Sequence, residues 1–238
     1  MQKPLYKYLP KKYLEAFLRH GSLKIGTLYE YRKTEDYGDV VGDKNEGLHK
    51  TELALAGGGE IDLATSSPEA EYFRTHVLRP DQHHLKPKII MADGARLVAH
   101  TNSPDLYIYC MTSEYSDAVM KEFGCDACLE IIHPAEFFTA ISHVIRHKGR
   151  FDGLGPITYS DKTTNYLKPH QIHPAVMKDT HYEYQKEWRA IWVPRKEPLK
   201  PLFIDVPRAV RHCRVHASNP SIERTCPGKP GSASHIKR

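Results

Sequence analysis

Tyrosines, tryptophans, an amide, carboxylates and a guanidinium crowd into one short stretch, Tyr182-Glu183-Tyr184-Gln185-Lys186-Glu187-Trp188-Arg189-Ala190-Ile191-Trp192, which ends in a strongly β-prone run. Side chains alternate along a strand, so Glu187, Arg189 and Ile191 are expected on one face and Trp188 and Trp192 on the other. A carboxylate at the mouth of a strand, two residues after an amide, then faces a cleft beside rings able to stack on a flat ligand. That arrangement suits cleavage of an N-glycosidic bond to a ribose. The transition state is oxocarbenium-like, and a fixed carboxylate lowers its energy. Glu187 is the candidate catalytic group, with Gln185 orienting the ribose or the acceptor. The same residues admit a plainer reading, in which Glu187 pairs with Arg189 at the start of a strand.

The N-terminal stretch offers a complementary set. Lys7 and Tyr8 fall on a first strand, and Tyr29, Tyr31 and Arg32 end a second. Were the two strands neighbours, Arg32 would fork onto a pyrophosphate with Lys7 beside it, and Tyr29 or Tyr31 would stack on a nicotinamide-like ring. Taken singly, each tyrosine also suits a core or rim position.

Asp36, Asp39, Asp43 and Glu46 form an acidic cluster that, with some of the 15 histidines, could serve a metal-dependent nuclease. The spacing lacks the order of an EF-hand loop, and no histidine pair brackets a glutamate on a helix, so no metal ligand is assigned. Cys125-Asp-Ala-Cys128 is a single CxxC with no second pair, which favours ordinary buried thiols over a zinc site. No GxSxG, P-loop or Rossmann glycine pattern is present, and Gly57-Gly58-Gly59 reads as a turn.

These residues need elements to position them. Leu5 to Leu9 reads as a strand. A helix opened by Pro10 and stopped by Gly21 follows, with Tyr13, Leu14, Phe17 and Leu18 on one face. A strand from Leu23 is expected to run through Tyr29 and Tyr31 to Arg32. Residues 34–47 read as an acidic surface loop, 52–55 and 61–64 as the arms of a hairpin, and 66–87 as an insertion or flexible loop. Lys88–Met91, Arg96–His100 and Leu106–Met111 read as successive strands, Ser113–Phe123 as a short helix and Ala127–Ile132 as a strand. A helix follows from Pro134 to about His147, burying Phe137, Phe138, Ile141 and Ile145. Pro156–Tyr159, Glu187–Val193 and Pro201–Ile204 complete the strands, the last two bracketing a proline-rich turn. More strand than helix, with helices inserted between strands, implies an α+β domain of split, twisted, mostly antiparallel sheets over residues 1–215.

Residues 216–238 turn to Ser, Pro, Gly, Thr and Lys, a basic tail too poor in apolar groups to offset its ordering entropy. The 238 residues, 40% hydrophobic and 26% charged, suit one domain with one core. There is no apolar run of membrane-spanning length and no signal core, which points to the cytoplasm. Five cysteines, an odd number widely spread, are expected to be reduced. A net charge of +5, with Arg208, Arg211, Arg214 and several later cations facing few acids, permits attraction to polyanions. A non-catalytic nucleic-acid-binding module is therefore a second alternative.

The order of strand, helix ending His20-Gly21, strand, and late Gln185-x-Glu187 resembles the ADP-ribosyltransferase fold, particularly the DarT-like nucleic-acid-modifying toxins of bacteria. The chain also resembles a widespread uncharacterised bacterial family through Tyr31-Arg32, Gly42-Asp43-x-x-Glu46-Gly47, Phe123-Gly124-x-Asp126-Ala127-Cys128 and Tyr184-Gln185-x-Glu187-x-Arg189. The first resemblance implies a mono-ADP-ribosyltransferase that consumes NAD as substrate. It implies a catalytic role for Glu187 and NAD contacts from Arg32, in a toxin or phage-defence effector with a nucleic-acid or protein acceptor and an antitoxin partner. Where that fold commonly has a histidine or arginine on its first strand, this chain has Lys7, which donates but cannot fork or accept.

Overall fold

The computed structural model describes residues 3–33, 40 and 42–218. Its organising element is β7 (Tyr107–Thr112), whose alternate side chains are buried on both faces. Along one edge β13 (Glu187–Pro194) pairs antiparallel from Glu187↔Thr112 to Trp192↔Tyr107. The other edge is divided. β2 (Ser22–Thr27) takes its start through Gly26↔Ile108, and β1 (Leu5–Leu9) takes its end through Tyr6↔Thr112. β8 (Ala127–Ile131) and β15 (Cys213–Ser218) extend the β1 side, β14 (Leu202–Asp205) extends β2, and β9 (Gly149–Pro156) pairs with β13. The sheet is thus forked at β7, and Lys7 Nζ donates to the Cys110 carbonyl at 2.8 Å between the branches.

Three helices cover one face: α1 (Lys11–His20), α4 (Pro134–Ile145) and α5 (Pro207–Val210). Leu14, Phe17, Phe137, Phe138, Ile141 and Trp192 pack there with Tyr109 and Met111 into the main core. The stop after α1 is physical: Gly21 sits at φ +73 with its N–H on the Phe17 carbonyl, and a Cβ there would fall 2.3 Å from the Val206 backbone. α1 meets the sheet along a narrow ridge of Leu14 and Phe17, so Tyr13 and Leu18, expected on the buried face, flank it at 56% and 39% exposed.

A smaller region is built from two further sheets. β3 (Leu48–Ala54) pairs antiparallel with β6 (Arg96–Asn102) and parallel with β11 (Thr163–Asn165), while β4 (Gly59–Asp62) pairs with β5 (Lys88–Met91). The expected hairpin of 52–55 with 61–64 is therefore absent, because each arm finds its partner later in the chain. Much of 66–87 is ordered: α2 (Pro68–His76), capped by the Ser67 hydroxyl on Ala70 N, packs Ala70 and Tyr72 against Leu53, Ile61 and Leu63. α3 (Asp117–Glu122) precedes β8, and the two-residue strands β10 (Thr158–Tyr159) and β12 (Met177–Lys178) run parallel.

Most strand pairs are antiparallel and helices are few, an α+β architecture. The strand expected to reach Arg32 stops at Thr27. Glu30 closes a turn there, its carboxylate accepting from Thr27 N while the Thr27 hydroxyl accepts from Glu30 N, and Glu30–Arg32 forms a 3-10 turn. β1 and β2 are not neighbours, since β7 lies between them. β15 runs past residue 215 to Ser218, and the tail beyond it lies outside the described residues, as do Asp36 and Asp39. Among the described residues no helix is long and apolar enough to cross a membrane.

Candidate active site

On β13 the alternation holds: Trp188 and Trp192 face the helix-covered core, while Ile191 joins Leu28 and Ile108 on the opposite face. Glu187 and Arg189 share that opposite face, and both are buried, at 6% and 2% exposed. Glu187 Oε1 accepts from Arg189 Nε at 2.5 Å, and its Oε2 lies 2.7 Å from Lys178 Nζ. Arg189 then forks onto Glu46, Nη1 to Oε1 at 2.8 Å and Nη2 to Oε2 at 2.9 Å, and Nη1 also donates to the Ala175 carbonyl. Two carboxylates and two cations therefore form a neutral buried quartet, in the bidentate geometry that arginine favours.

Further groups tie the quartet to its surroundings. Lys178 Nζ donates to Gln185 Oε1 at 2.9 Å and lies 4.7 Å from the centre of the Tyr182 ring. Gln185 Nε2 donates to the Val40 carbonyl, and the Tyr182 hydroxyl to the Gly42 carbonyl. The Tyr159 hydroxyl accepts from Glu187 N at 2.7 Å, and burial pushes that phenol up to about 12. Burial alone would raise the Glu187 carboxyl, but Arg189 and Lys178 hold it far below the usual carboxylate range. Glu187 is thus ionised at neutral pH and has no proton to give. Burial, with Glu187 nearby, pushes the Cys110 thiol up to about 12, so it is no thiolate nucleophile.

The described carboxylates of the acidic stretch expected at the surface turn inward. Asp43 and Glu46 are 7% and 1% exposed, and Asp43 Oδ2 lies 2.6 Å from Lys162 Nζ. They are the counter-ions of buried cations from later in the chain. No group of three His, Cys, Asp or Glu side chains among the described residues is placed to hold a metal ion.

Arg32 does approach this cluster. Its Nε donates to the Glu46 carbonyl at 2.6 Å, its Nη2 to Asn102, and its guanidinium lies 3.8 Å over the Tyr29 ring. The Tyr29 hydroxyl is held by the Ser103 carbonyl, and Tyr31 packs among Leu28 and Ile108. Tyr8 lies apart: its hydroxyl accepts from Ser116 N and its ring packs beside Phe123 and Tyr115. Lys7 fills the fork and lies 5.0 Å from the centre of the Tyr109 ring. Arg32 thus reaches the main chain of Glu46, whose carboxylate is linked through Arg189 to Glu187 and, beyond it, through Lys178 to Gln185, whereas Tyr8, Tyr29 and Tyr31 serve packing and backbone contacts.

Sequence reasoning passed over Lys178 and Lys162, which no local pattern distinguishes from surface lysines. A signal did exist for Glu46 and Arg189: Asp43-x-x-Glu46-Gly47 and Gln185-x-Glu187-x-Arg189 belong to one set of motif pieces, and the structure joins them as acid and base. A recess of about 140 Å³ is lined by Asp43, Lys50, Lys162, Asp179 and His181, among others, and by no member of the quartet. No family model matches the chain, and neither a curated protein nor a solved structure matches it.

Proposed function

We propose that this chain is an NAD-consuming enzyme of the mono-ADP-ribosyltransferase type, a toxin or phage-defence effector that modifies a nucleic acid or a protein and is restrained by an antitoxin. One observation supports the reading above the rest: the Arg32 corner and the Glu187 strand, remote in sequence, converge on Glu46 with Glu187 kept ionised. An oxocarbenium ion is stabilised by fixed negative charge that does not titrate, which is a different task from proton transfer. Gln185, one hydrogen bond from Lys178, is placed to respond when that lysine moves.

On this reading the arrangement described is a closed one. Both Glu187 oxygens are occupied, and Glu187 does not line the recess of about 140 Å³, itself below the roughly 300 Å³ at which ligand pockets begin. Turnover requires residues 43–47, which carry Glu46, to withdraw from Arg189, and Lys178 to exchange Glu187 for the phosphates of NAD.

The test is incubation of the intact chain with labelled NAD and mixed RNA, DNA and protein acceptors. Turnover by the wild type, with a loss of roughly 100-fold or more in a folded Glu187→Gln protein, is the expected result. A wild type that consumes no NAD with any acceptor, or a Glu187→Gln protein with full turnover, removes the assignment.

The sealing of Glu187 favours a second reading, in which the quartet only clamps the 42–47 corner to the sheet and the chain is a non-catalytic nucleic-acid-binding module. Glu187→Gln then lowers thermal stability and changes no chemistry. No described feature favours the metal-dependent nuclease, since Lys162 and Arg189 occupy the carboxylates of Asp43 and Glu46.

A further inference from the structure

The face of the sheet away from Glu187 carries a groove between α4 and β9, about 590 Å³ in volume, with Phe138, Phe151 and Leu154 as its apolar surfaces and Ser142 and His143 on its wall. A register shift against β13, Ile191 pairing Gly153 and Trp192 pairing Phe151, places Asp152 in a bulge. Phe151 and Leu154, three residues apart, consequently both turn toward α4. Phe151 stands edge-on to the buried Trp192 ring, 5.5 Å between centres, and stays 38% exposed. The Trp192 indole N–H is already satisfied by the Ser142 hydroxyl at 2.8 Å, so the groove floor is apolar.

At one end of this groove the backbone gathers positive charge. Arg195 N donates to the Lys148 carbonyl at 2.8 Å and Arg195 Nε to the Arg146 carbonyl at 2.9 Å, which draws residues 146–150 and 195–196 together. Across 143–152 and 193–197 the chain has Arg146, Lys148, Arg150, Arg195 and Lys196, all exposed, against only Asp152 and Glu197. Arg150 reaches Asp152 at 3.3 Å, a pair between exposed groups. Arg146 Nη1 also donates to the His143 carbonyl at 2.7 Å, but among the described residues no carboxylate pairs with Arg146, Lys148, Arg195 or Lys196, and an exposed aromatic ring in an apolar trough begins beside them.

We infer that this face binds single-stranded nucleic acid, with phosphates along the Arg146–Lys148–Arg195 ridge and a base in the groove against Phe151. The combination is what selects the ligand class. A polyanion without flat rings would use the ridge and leave the trough empty, whereas a small apolar ligand would have no use for the ridge. The site lies on the opposite side of the sheet from Glu187 and rests on its own observations.

The test is fluorescence anisotropy of labelled oligo-dT and oligo-U of about 15 nucleotides, with an abasic oligomer of equal length, heparin and anionic phospholipid vesicles as comparison probes. Expected is binding that weakens with salt, a Phe151→Ala protein weaker by roughly five- to 100-fold at unchanged salt slope, and an abasic oligomer that binds the wild type as weakly. Lys148→Ala with Arg195→Ala should flatten the log–log salt slope by about 0.7 for each cation taken off a phosphate. Comparing the two oligomers tells RNA from DNA. Equal binding of the abasic oligomer or heparin, tighter binding to the vesicles, or no binding at low salt would each overturn the inference. The abasic arm keeps the test decisive even if Phe151→Ala misfolds. Because no NAD is present, the outcome is read separately from the transferase assignment.

Discussion

Arg189 is the residue on which the buried quartet depends. It neutralises Glu46 through a fork and Glu187 through Nε, so its removal strands the Glu46 carboxylate in an interior nearly closed to water and leaves Glu187 with Lys178 alone. Arg189→Met should therefore destabilise the fold by about 3–5 kcal/mol, the usual cost of breaking a buried pair from one side, measured as the midpoint shift in urea. A stability within error of wild type would mean that the interior relaxes or admits water at this point. Lys is no conservative replacement here, because a point charge cannot satisfy Glu46 and Glu187 together. The residue types in Gln185-x-Glu187-x-Arg189 announce an acid and a base on one face of a strand. Nothing in them announces that Glu46, far away in sequence, takes the other half of the guanidinium.

Elements here are set by local signals where those are strong. Gly21 ends α1 because only glycine holds φ +73 cheaply, and because Val206 presses on the place where a Cβ would stand. Gly21→Ala should cost about 2 kcal/mol or more, from left-handed strain and overpacking together, in thermal or urea unfolding. Ser67→Ala removes the cap of α2 and should cost about 1 kcal/mol, felt as faster amide exchange in 68–76 with β13 unaffected. Elements went astray where partners were distant. Leu48–Ala54 and Gly59–Asp62 look like two arms of one hairpin, yet each pairs with a strand more than twenty residues later. Tyr29 and Tyr31 alternate as strand residues would, but the mutual capping of Thr27 and Glu30 is the stronger local force.

At the scale of the molecule, two buried sites should give acid unfolding two stages. His49 on β3 stacks on His170, 4.9 Å between ring centres, and its Nδ1, like the His170 Nε2, has no hydrogen-bond partner among the described residues. Burial, then His170 and His173, depress its pKa below the ordinary 6.5. The unfolded chain therefore binds a proton that the folded chain resists. This contribution to stability is complete above pH 6.5 and is lost as pH falls below it. Glu187 is depressed likewise, so its contribution is complete above the ordinary carboxyl range and erodes only in stronger acid. Urea midpoints should fall first between about pH 6.5 and 5, an effect that His49→Gln reduces and to which His212, depressed by burial and Arg211, also contributes, and again below about pH 4.5. A flat profile down to about pH 5 in the wild type would mean that His49 titrates freely.

What the residues alone determined was local: the β1–α1–β2 opening, the burial of Phe137, Phe138, Ile141 and Ile145, the two faces of β13, and the α+β class. Each follows from periodicity, a cap or a turn residue, interactions that span only a few positions and can be read in order. The tertiary structure alone decided that β7 is forked, that Asp43 and Glu46 turn inward to Lys162 and Arg189, and that a bulge brings Phe151 beside a basic ridge. Those are pairings between remote segments, and their energy is realised only when both partners are desolvated together. A lysine destined for the interior therefore looks, in the sequence, like any lysine at the surface.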